Sequence, residues 1–320
     1  MITWGIVGNS HDASLAVFKN GECLWAALSK DFSDVPNDPD LNWTIVEVAK
    51  RIAGPPDQIV WYERPMLKTL RQLIAGQGWL FDENNIKRYL ARWDITAPIK
   101  YTTHHLSHAA YAYYTQDHDD CAVICLDSIG EFETLTMWHG KNGKLKKIYT
   151  QGYPHSIGLF YSAMTQRCSL IPNKEEYLMT QWADKGDPFR FYSHIKRDIL
   201  GDGFRKQFSL KHNLHRGCRW WRPELDSPQD HYDIAAATQM IFEETVSGLS
   251  YKAFRDTGSN YLALAGGGAL NSRAVGKISN RWDSVHVPQN PGDPGSCIGA
   301  VLARTRRSIS LDNVWHKKNA

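Results

Sequence analysis

The 320-residue chain sets 37 Lys and Arg against 34 Asp and Glu, a formal charge of only +3, with 42% apolar residues and a mean hydropathy of −0.45. That is the profile of a soluble globular protein of one large domain or two medium ones, and no run of about 18 apolar residues is present to cross a bilayer. The six cysteines contain no Cys-x-x-Cys pair, which excludes a zinc ribbon and a thioredoxin-type motif; with no basic leader at the N-terminus, the expected setting is reducing and cytoplasmic.

In chain order, residues 2–8 form an apolar run that ends in a Gly-containing turn. Strand-like runs follow at Leu15–Phe18 and Glu22–Leu28, joined through Lys19-Asn20-Gly21. Asn-Gly between such runs is a strong hairpin signal. A helix is expected at Leu41–Ile52, a strand at Gln58–Trp61, and helices at Met66–Ile74 and His105–Tyr114. The scheme then repeats, with an apolar run at 121–127, a strand at Thr134–Trp138, the turn Lys141-Asn142-Gly143 and a strand at Leu145–Tyr149. Helices Leu159–Arg167 and Ile234–Phe254, strand Tyr261–Ala265 and a small-residue helix Ser296–Ala303 complete the pattern. The two βββ units start about 120 residues apart. This echo predicts two similar α/β lobes around a central cleft, residues 1–117 and 118–320; a coincidental pair of hairpins is the alternative.

Thr-His-His-Leu-Ser-His-Ala-Ala at 103–110 places His104 and His108 one helical turn apart. Two imidazoles on one helix face can share a metal ion; a chance cluster at a helix start is the bland reading. Asp127 ends a buried strand, where a carboxylate is costly unless paired or metal-bound, although Asp also starts turns. In Ala263–Ile278 (ALAGGGALNSRAVGKI), a strand runs into Gly266-Gly267-Gly268 and a helix leaves. Such glycines let backbone amides approach an anion, and plain turns use them too. Asp293, in Pro291-Gly292-Asp293-Pro294-Gly295, reads as a helix N-cap or as a ligand. His11-Asp12 lies in the first turn, where His11 is a candidate general base or a surface histidine.

Together these residues resemble the O-carbamoyltransferase family, whose members serve nodulation-factor, cephamycin and tobramycin biosynthesis. The resemblance rests on seven ordered motifs. They are His11-Asp12-Ala13-Ser14, Tyr62-Glu63-Arg64-Pro65, His104 through Ala110, Asp127 through Glu131, Gly158 through Thr165, Ala265 through Ile278 and Pro288 through Ala300. It implies an ASKHA-like (actin and sugar-kinase type) α/β fold of two RNase-H-like lobes. It implies a divalent metal on His104, His108, Asp127 and Asp293, with Fe²⁺ first and Mg²⁺ or Mn²⁺ as alternatives. The donor or nucleotide side of the site is expected at Gly130, Glu131, Gly266, Gly267, Gly268 and Asn271. His11, Asp12 and His105 are the catalytic candidates, with His11 placed to activate an acceptor hydroxyl.

Three stretches depart from the family. Its Lys-x-Met-Gly-Leu-Ala run is faintly matched at Tyr177–Trp182, its second Asn in the glycine motif is Val275, and its Glu-Glu-Arg-Phe is Ser29-Lys30-Asp31-Phe32. Typical relatives carry a further domain, which is expected to be absent here. Two donor routes follow: carbamoyl phosphate used directly, or ATP bound in this one domain.

Residues 189–222 hold nine Lys or Arg and two acids, a local charge of +7 that leaves −4 for the rest, with seven aromatics interleaved. Basic and stacking side chains suit a nucleic-acid backbone and an unstacked base. Arg205, Lys206, Arg216, Arg219, Trp220, Trp221 and Arg222 are the candidate contacts, on an insert at about 186–228. A solvated insert packed on its lobe is the alternative. The expected acceptor is the hydroxymethyl group of 5-hydroxymethylcytosine in DNA, as in phage-like DNA modification. A sugar or antibiotic hydroxyl is the rival. A tRNA threonylcarbamoyl transferase is less consistent, since its His-Met-Glu-Gly-His is His-His-Leu-Ser-His here, and a catalytically dead nucleic-acid binder conflicts with the retained ligand set.

Overall fold

The computed structural model describes residues 1–10, 12–77, 84–201 and 206–317. The first half contains β1 (Ile2–Val7), β2 (Ser14–Lys19), β3 (Glu22–Leu28), α1 (Lys30–Ser33), α2 (Trp43–Ala53), β4 (Gln58–Trp61), α3 (Pro65–Ile74), α4 (Ile86–Ala91), β5 (Ile99–Tyr101) and α5 (His104–Tyr114). The second contains β6 (Cys121–Gly130), β7 (Glu133–Lys141), β8 (Lys144–Gly152), α6 (Ile157–Arg167), α7 (Glu176–Ala183), α8 (Pro188–Asp198), α9 (Pro228–Thr257), β9 (Tyr261–Ala265), α10 (Ser272–Ser279), β10 (Ser284–His286) and α11 (Ser296–Thr305).

The sequence echo is a structural repeat. One five-stranded sheet has the order β3-β2-β1-β4-β5 and the other β8-β7-β6-β9-β10. In each, the first three strands meander antiparallel and the last two run parallel to the first. Both hairpins turn on Asn-Gly with positive φ at each residue (Asn20 54°, Gly21 91°; Asn142 50°, Gly143 67°), the backbone such a two-residue turn demands.

Helices α5 and α11 lie between the sheets, with α11 against β1 and α5, and α5 against β6 and β9. Small residues permit this crossing. A Cβ on Gly5 would fall 1.8 Å from the Cys297 carbonyl oxygen, and one on Gly299 would fall 2.0 Å from that of Ser107. Helix α2 covers the outer face of the first sheet; α6 and α9 cover the second, with α7, α8 and α10 packed on α9.

Three expectations change. The chain does not stay with the second sheet to residue 320: α11 joins the first hydrophobic core, and Val314 accepts a backbone hydrogen bond from Ala26 at 2.8 Å. Helix α9 starts at Pro228 rather than Ile234, because Ser227 and Asp230 form a reciprocal capping box ahead of the apolar periodicity. The basic segment is largely knitted into the second core through Phe191, Ile195, Phe208, Leu210, Leu214 and Cys218. No helix among the described residues is long and apolar enough to cross a membrane.

Candidate metal centre

Parallel strands of both sheets end at one place, where an open α/β sheet offers its natural crevice. Beyond β1 lies Ser10, beyond β4 Glu63, within the end of β6 Asp127, and beyond β9 the glycine run. Helix α5 starts at the same level, so His104 and His108 project one turn apart into it. Asp127 lies where β6 breaks register with β7 between Leu126 and Gly130. Asp293 comes from the tight turn that precedes α11.

These four side chains converge. His104 Nε2 is 3.0 Å from His108 Nε2, 3.1 Å from Asp127 Oδ2 and 3.3 Å from Asp293 Oδ1. His108 Nε2 is 3.4 Å from the same Asp293 oxygen. All four are buried, and one ligand atom from each lies within 4.8 Å of the others. Metal bonds to nitrogen and carboxylate oxygen are about 2.0–2.2 Å, so one ion suits a set this tight.

The electrostatics point the same way. Burial disfavours a charged imidazole, yet Asp293, Asp127 and Glu63 outweigh it and hold His104 well above the usual histidine range. Burial likewise opposes ionisation of Asp127, but the His104 hydrogen bond brings its pKa down to about 2. Two carboxylates buried beside two imidazoles are a costly arrangement that a divalent cation would relieve. A mixed imidazole and carboxylate set suits a first-row divalent metal.

The surrounding residues orient the ligands. Ser10 Oγ donates to Asp293 Oδ2 at 2.9 Å, and Ser296 Oγ lies 3.3 Å from His108 Nδ1. Among the described residues His104 Nδ1 has no hydrogen-bond partner, and it faces Glu63 Oε2 at 3.8 Å. Glu63 in turn takes Lys68 Nζ at 2.8 Å. Burial opposes its ionisation, but Lys68 and His104 hold its carboxyl below the usual range. Sequence reasoning gave Ser10, Glu63, Lys68 and Ser296 no role. Glu63 was readable by the argument applied to Asp127: it is a carboxylate at the end of a buried strand.

The other candidates divide. Gly266 (φ +85°) carries the chain so close to β6 that a Cβ would lie 2.1 Å from the Leu126 carbonyl oxygen; one on Gly267 would stand 3.8 Å from Asp127 Oδ1. The glycine run therefore presents bare backbone beside a ligand carboxylate. Asn271 is committed within the fold: it caps α10 and exchanges two amide hydrogen bonds with Gln239, at 3.0 and 2.9 Å. Gly130 makes room for His104, since a Cβ there would fall 2.3 Å from the ring. Glu131 accepts from the Arg64 amide at 2.6 Å and is buried, which raises its pKa. His105, a catalytic candidate, is buried, with Thr136 Oγ1 and the Glu133 carbonyl engaging its two nitrogens at 2.9 and 3.1 Å. Burial and the neighbouring His104 drive it well below the usual histidine range. Asp12, a catalytic candidate, pairs with Lys30 at 3.2 Å. His11 and Arg205 lie outside the described residues.

Trp221 is corrected from a stacking platform to a core residue. It is 3% exposed and donates through Nε1 to Asp198 at 3.1 Å. Trp220, 53% exposed, stays on the surface with Lys206, Arg216 and Arg219. Arg222 is half-buried, 3.7 Å from Asp198.

Comparison with known proteins agrees with this layout. The family description "Carbamoyltransferase N-terminus" matches residues 62–302. The uncharacterised protein sll1178 of Synechocystis sp. is 27% identical over 99% of this chain and 59% of its own length. Nodulation protein NolNO of Sinorhizobium fredii is 26% identical over 91% of this chain and 46% of its own. The chain thus spans about half the length of these curated relatives. The crystal structure of HypF from T. kodakarensis superposes with a TM-score of 0.52 at 12% identity, over 96% of this chain and 48% of that one. This likeness concerns the fold, which is of the ASKHA type.

Proposed function

The chain belongs to the carbamoyltransferase family, and on that premise we propose that it transfers a carbamoyl group from carbamoyl phosphate to the hydroxymethyl group of 5-hydroxymethylcytosine in DNA, with Fe²⁺ as its metal. The observation that carries the reading is the convergence of His104, His108, Asp127 and Asp293 within 4.8 Å. Strands of both lobes end there, beside the glycine run.

The acceptor oxygen forms a bond to the carbamoyl carbon, the carbon–oxygen bond to phosphate breaks, and phosphate leaves with the electron pair. A carbamoyl carbon is a poor electrophile, because nitrogen donates into its carbonyl. A bound divalent ion supplies Lewis acidity toward the oxygens on which charge develops. The backbone of Gly266–Gly268 is suited to the phosphate end of the donor. Lys68 ties Glu63, whose carboxylate faces His104 at 3.8 Å, and Ser10 holds the second oxygen of Asp293. The acceptor proton needs a base, and the sequence offers His11, next in the chain to Ser10.

The acceptor class is supported by the exposed side chains of Lys206, Arg216, Arg219 and Trp220, cations and a stackable ring carried on one basic segment. Arg190 and Arg197 add less than their number implies. Arg190 is paired with Asp230 and Asp233 at 2.6 and 2.8 Å, and Arg197 with Asp198 at 2.7 Å. A duplex bearing 5-hydroxymethylcytosine would have to release the base from the stack.

The test is nucleoside mass spectrometry after incubating metal-loaded protein with that DNA and carbamoyl phosphate, with and without ATP. A carbamoyl adduct on the modified cytosine supports the reading. Product without ATP shows direct use of the donor, whereas product only with ATP shows that the donor is adenylated first. Product on free sugars or nucleosides but not on DNA would move the acceptor to a small-molecule alcohol. No product on any hydroxyl would overturn carbamoyl transfer by this chain.

A further inference from the structure

Arg71, on α3, is a buried cation to which the proposed reaction gives no part. It is 8% exposed, and among the described residues no carboxylate forms an ion pair with it. Burial pushes its pKa below the usual arginine value, and a buried charge is costly unless its donors are used. They are used across the boundary between the lobes. Nε donates to the Glu131 carbonyl and Nη1 to Gln77 Oε1, each at 3.1 Å. Gln77 in turn meets His215 Nε2 of the second lobe at 2.7 Å.

Glu131 is thus held from the first lobe at two points, since the Arg64 amide at the start of α3 donates to its carboxylate at 2.6 Å. Its backbone needs that hold. It sits at φ +54°, a left-handed conformation that a residue with a side chain keeps only where its surroundings over-determine it. The turn it belongs to bears on the metal centre. Gly130 lies against the His104 ring, so closely that a Cβ would fall 2.3 Å from it. The Glu133 carbonyl is 3.1 Å from His105 Nε2, and Asp127 lies within the same register break of β6. On the far side of the turn, Tyr153 N donates to Phe132 O at 2.9 Å. The second lobe therefore fixes one side of the turn with its own backbone, and α3 of the first lobe fixes the other.

We propose that Arg71 is a positioning residue of the metal centre: it clamps the turn at 130–133, and the turn sets the His104 ring toward Asp127 and Asp293. The inference rests on the reading of His104, His108, Asp127 and Asp293 as ligands and extends it to a side chain that hydrogen-bonds none of them. It makes the ligand geometry depend on the docking of one lobe against the other.

The test compares Arg71→Met with Arg167→Met in the full chain. Arg167 is the matched control: it is 5% exposed and also grips backbone, with Nε on Trp221 O at 2.6 Å and Nη2 on Leu225 O at 2.8 Å, but wholly within the second lobe. The readouts are chelator competition for Mn²⁺ and Co²⁺, the visible absorption of the Co²⁺ form, which reports its ligand set, and urea unfolding of the metal-free protein. Both variants are expected to lose stability. Arg71→Met is expected to weaken metal binding about tenfold, the lower end for loss of an outer support, and to change the Co²⁺ spectrum, while Arg167→Met keeps both. Gln77→Ala, at an exposed position, is expected to fold and to move the same two readouts in the same direction by less. Wild-type affinity and spectrum in a folded Arg71→Met protein, or in Gln77→Ala should Arg71→Met not fold, would overturn the role. Equal weakening by Arg71→Met and Arg167→Met would do the same, since it reports only lost stability. A wild type that binds neither metal would overturn the ligand reading and the role together, whereas a wild type that binds metal with no dependence on Arg71 loses the role alone.

Discussion

Gly130→Ala is the sharpest test of the metal centre, because the substitution touches no ligand atom. A Cβ at this position would lie 2.3 Å from His104 Cδ2, 2.6 Å from its Cγ and 2.9 Å from His105 Cδ2. Carbon atoms rest at about 3.5–4.0 Å, so the His104 ring must retreat by about 1 Å. Its Nε2 is then displaced by half the length of a metal bond of about 2.0–2.2 Å, and one ligand of four is lost. Overpacking of this kind costs about 1–3 kcal/mol in stability. Even a lost supporting contact costs about 10–100-fold in metal affinity, and loss of a ligand should match or exceed that. The assay is chelator competition for Fe²⁺ and Mn²⁺ under argon, with urea unfolding of the metal-free protein alongside. Gly140→Ala is the control: its Cβ would lie 2.2 Å from Tyr113, the same crowding against another ring. It is expected to lose similar stability and keep its metal affinity. Wild-type affinity in a folded Gly130→Ala protein, or no metal binding by wild type, would refute the reasoning.

Three further outcomes are expected. Glu63→Gln should weaken metal binding about 10–100-fold with the fold retained, read by the same competition assay. Trp221→Ala should destabilise by about 3–5 kcal/mol in urea unfolding, whereas Trp220→Ala should leave stability within about 0.5 kcal/mol and weaken single-stranded DNA binding by about 1–3 kcal/mol. Asp233 is held below the ordinary carboxyl value of 3.8 by Arg190 and two further hydrogen-bond donors, although burial pushes the other way. A depressed folded pKa means the stability is fully present above 3.8 and is lost as pH falls through the lowered value. Arg190→Met should therefore begin to unfold at a higher pH than wild type in an acid titration followed by circular dichroism.

Local chemistry made half of the fold legible. Two Asn-Gly turns and two sets of strand-like runs gave the repeat, because a hairpin is specified by residues that are neighbours in the chain. The return of α11 to the first core was not legible. Its small residues show that something approaches closely, but Gly5 and Gly299 cannot say which sheet or helix does so. His104 and His108 were readable from helical spacing, and Asp127 from the cost of a buried carboxylate. Asp293 was ambiguous between cap and ligand until the resemblance was drawn. Trp220 and Trp221 were indistinguishable in sequence, since consecutive residues off a regular element carry no periodicity to assign one inward. Ser10 and Lys68 stayed hidden because their partners arrive from other elements, at separations that no local pattern records.

The origin of the ligands explains why the centre sits where it does. Each lobe ends its parallel strands toward the same crevice, and each contributes a polar residue at a strand end: Glu63 after β4 and Asp127 in β6. Helix α5 passes between the sheets and brings both histidines, while the turn before α11 brings Asp293 as the chain crosses back to the first lobe. The four ligands thus belong to three segments that pack together only when both lobes and the returning helix are in place. The buried carboxylates oppose that packing unless a counter-charge is supplied. Lys68 supplies one for Glu63 at 2.8 Å. For Asp127 and Asp293 the described residues supply His104 and the Ser10 hydroxyl, beside a glycine-lined backbone. A buried cluster of two imidazoles and two carboxylates suits a divalent cation, the Lewis acid that the reaction proposed here calls for.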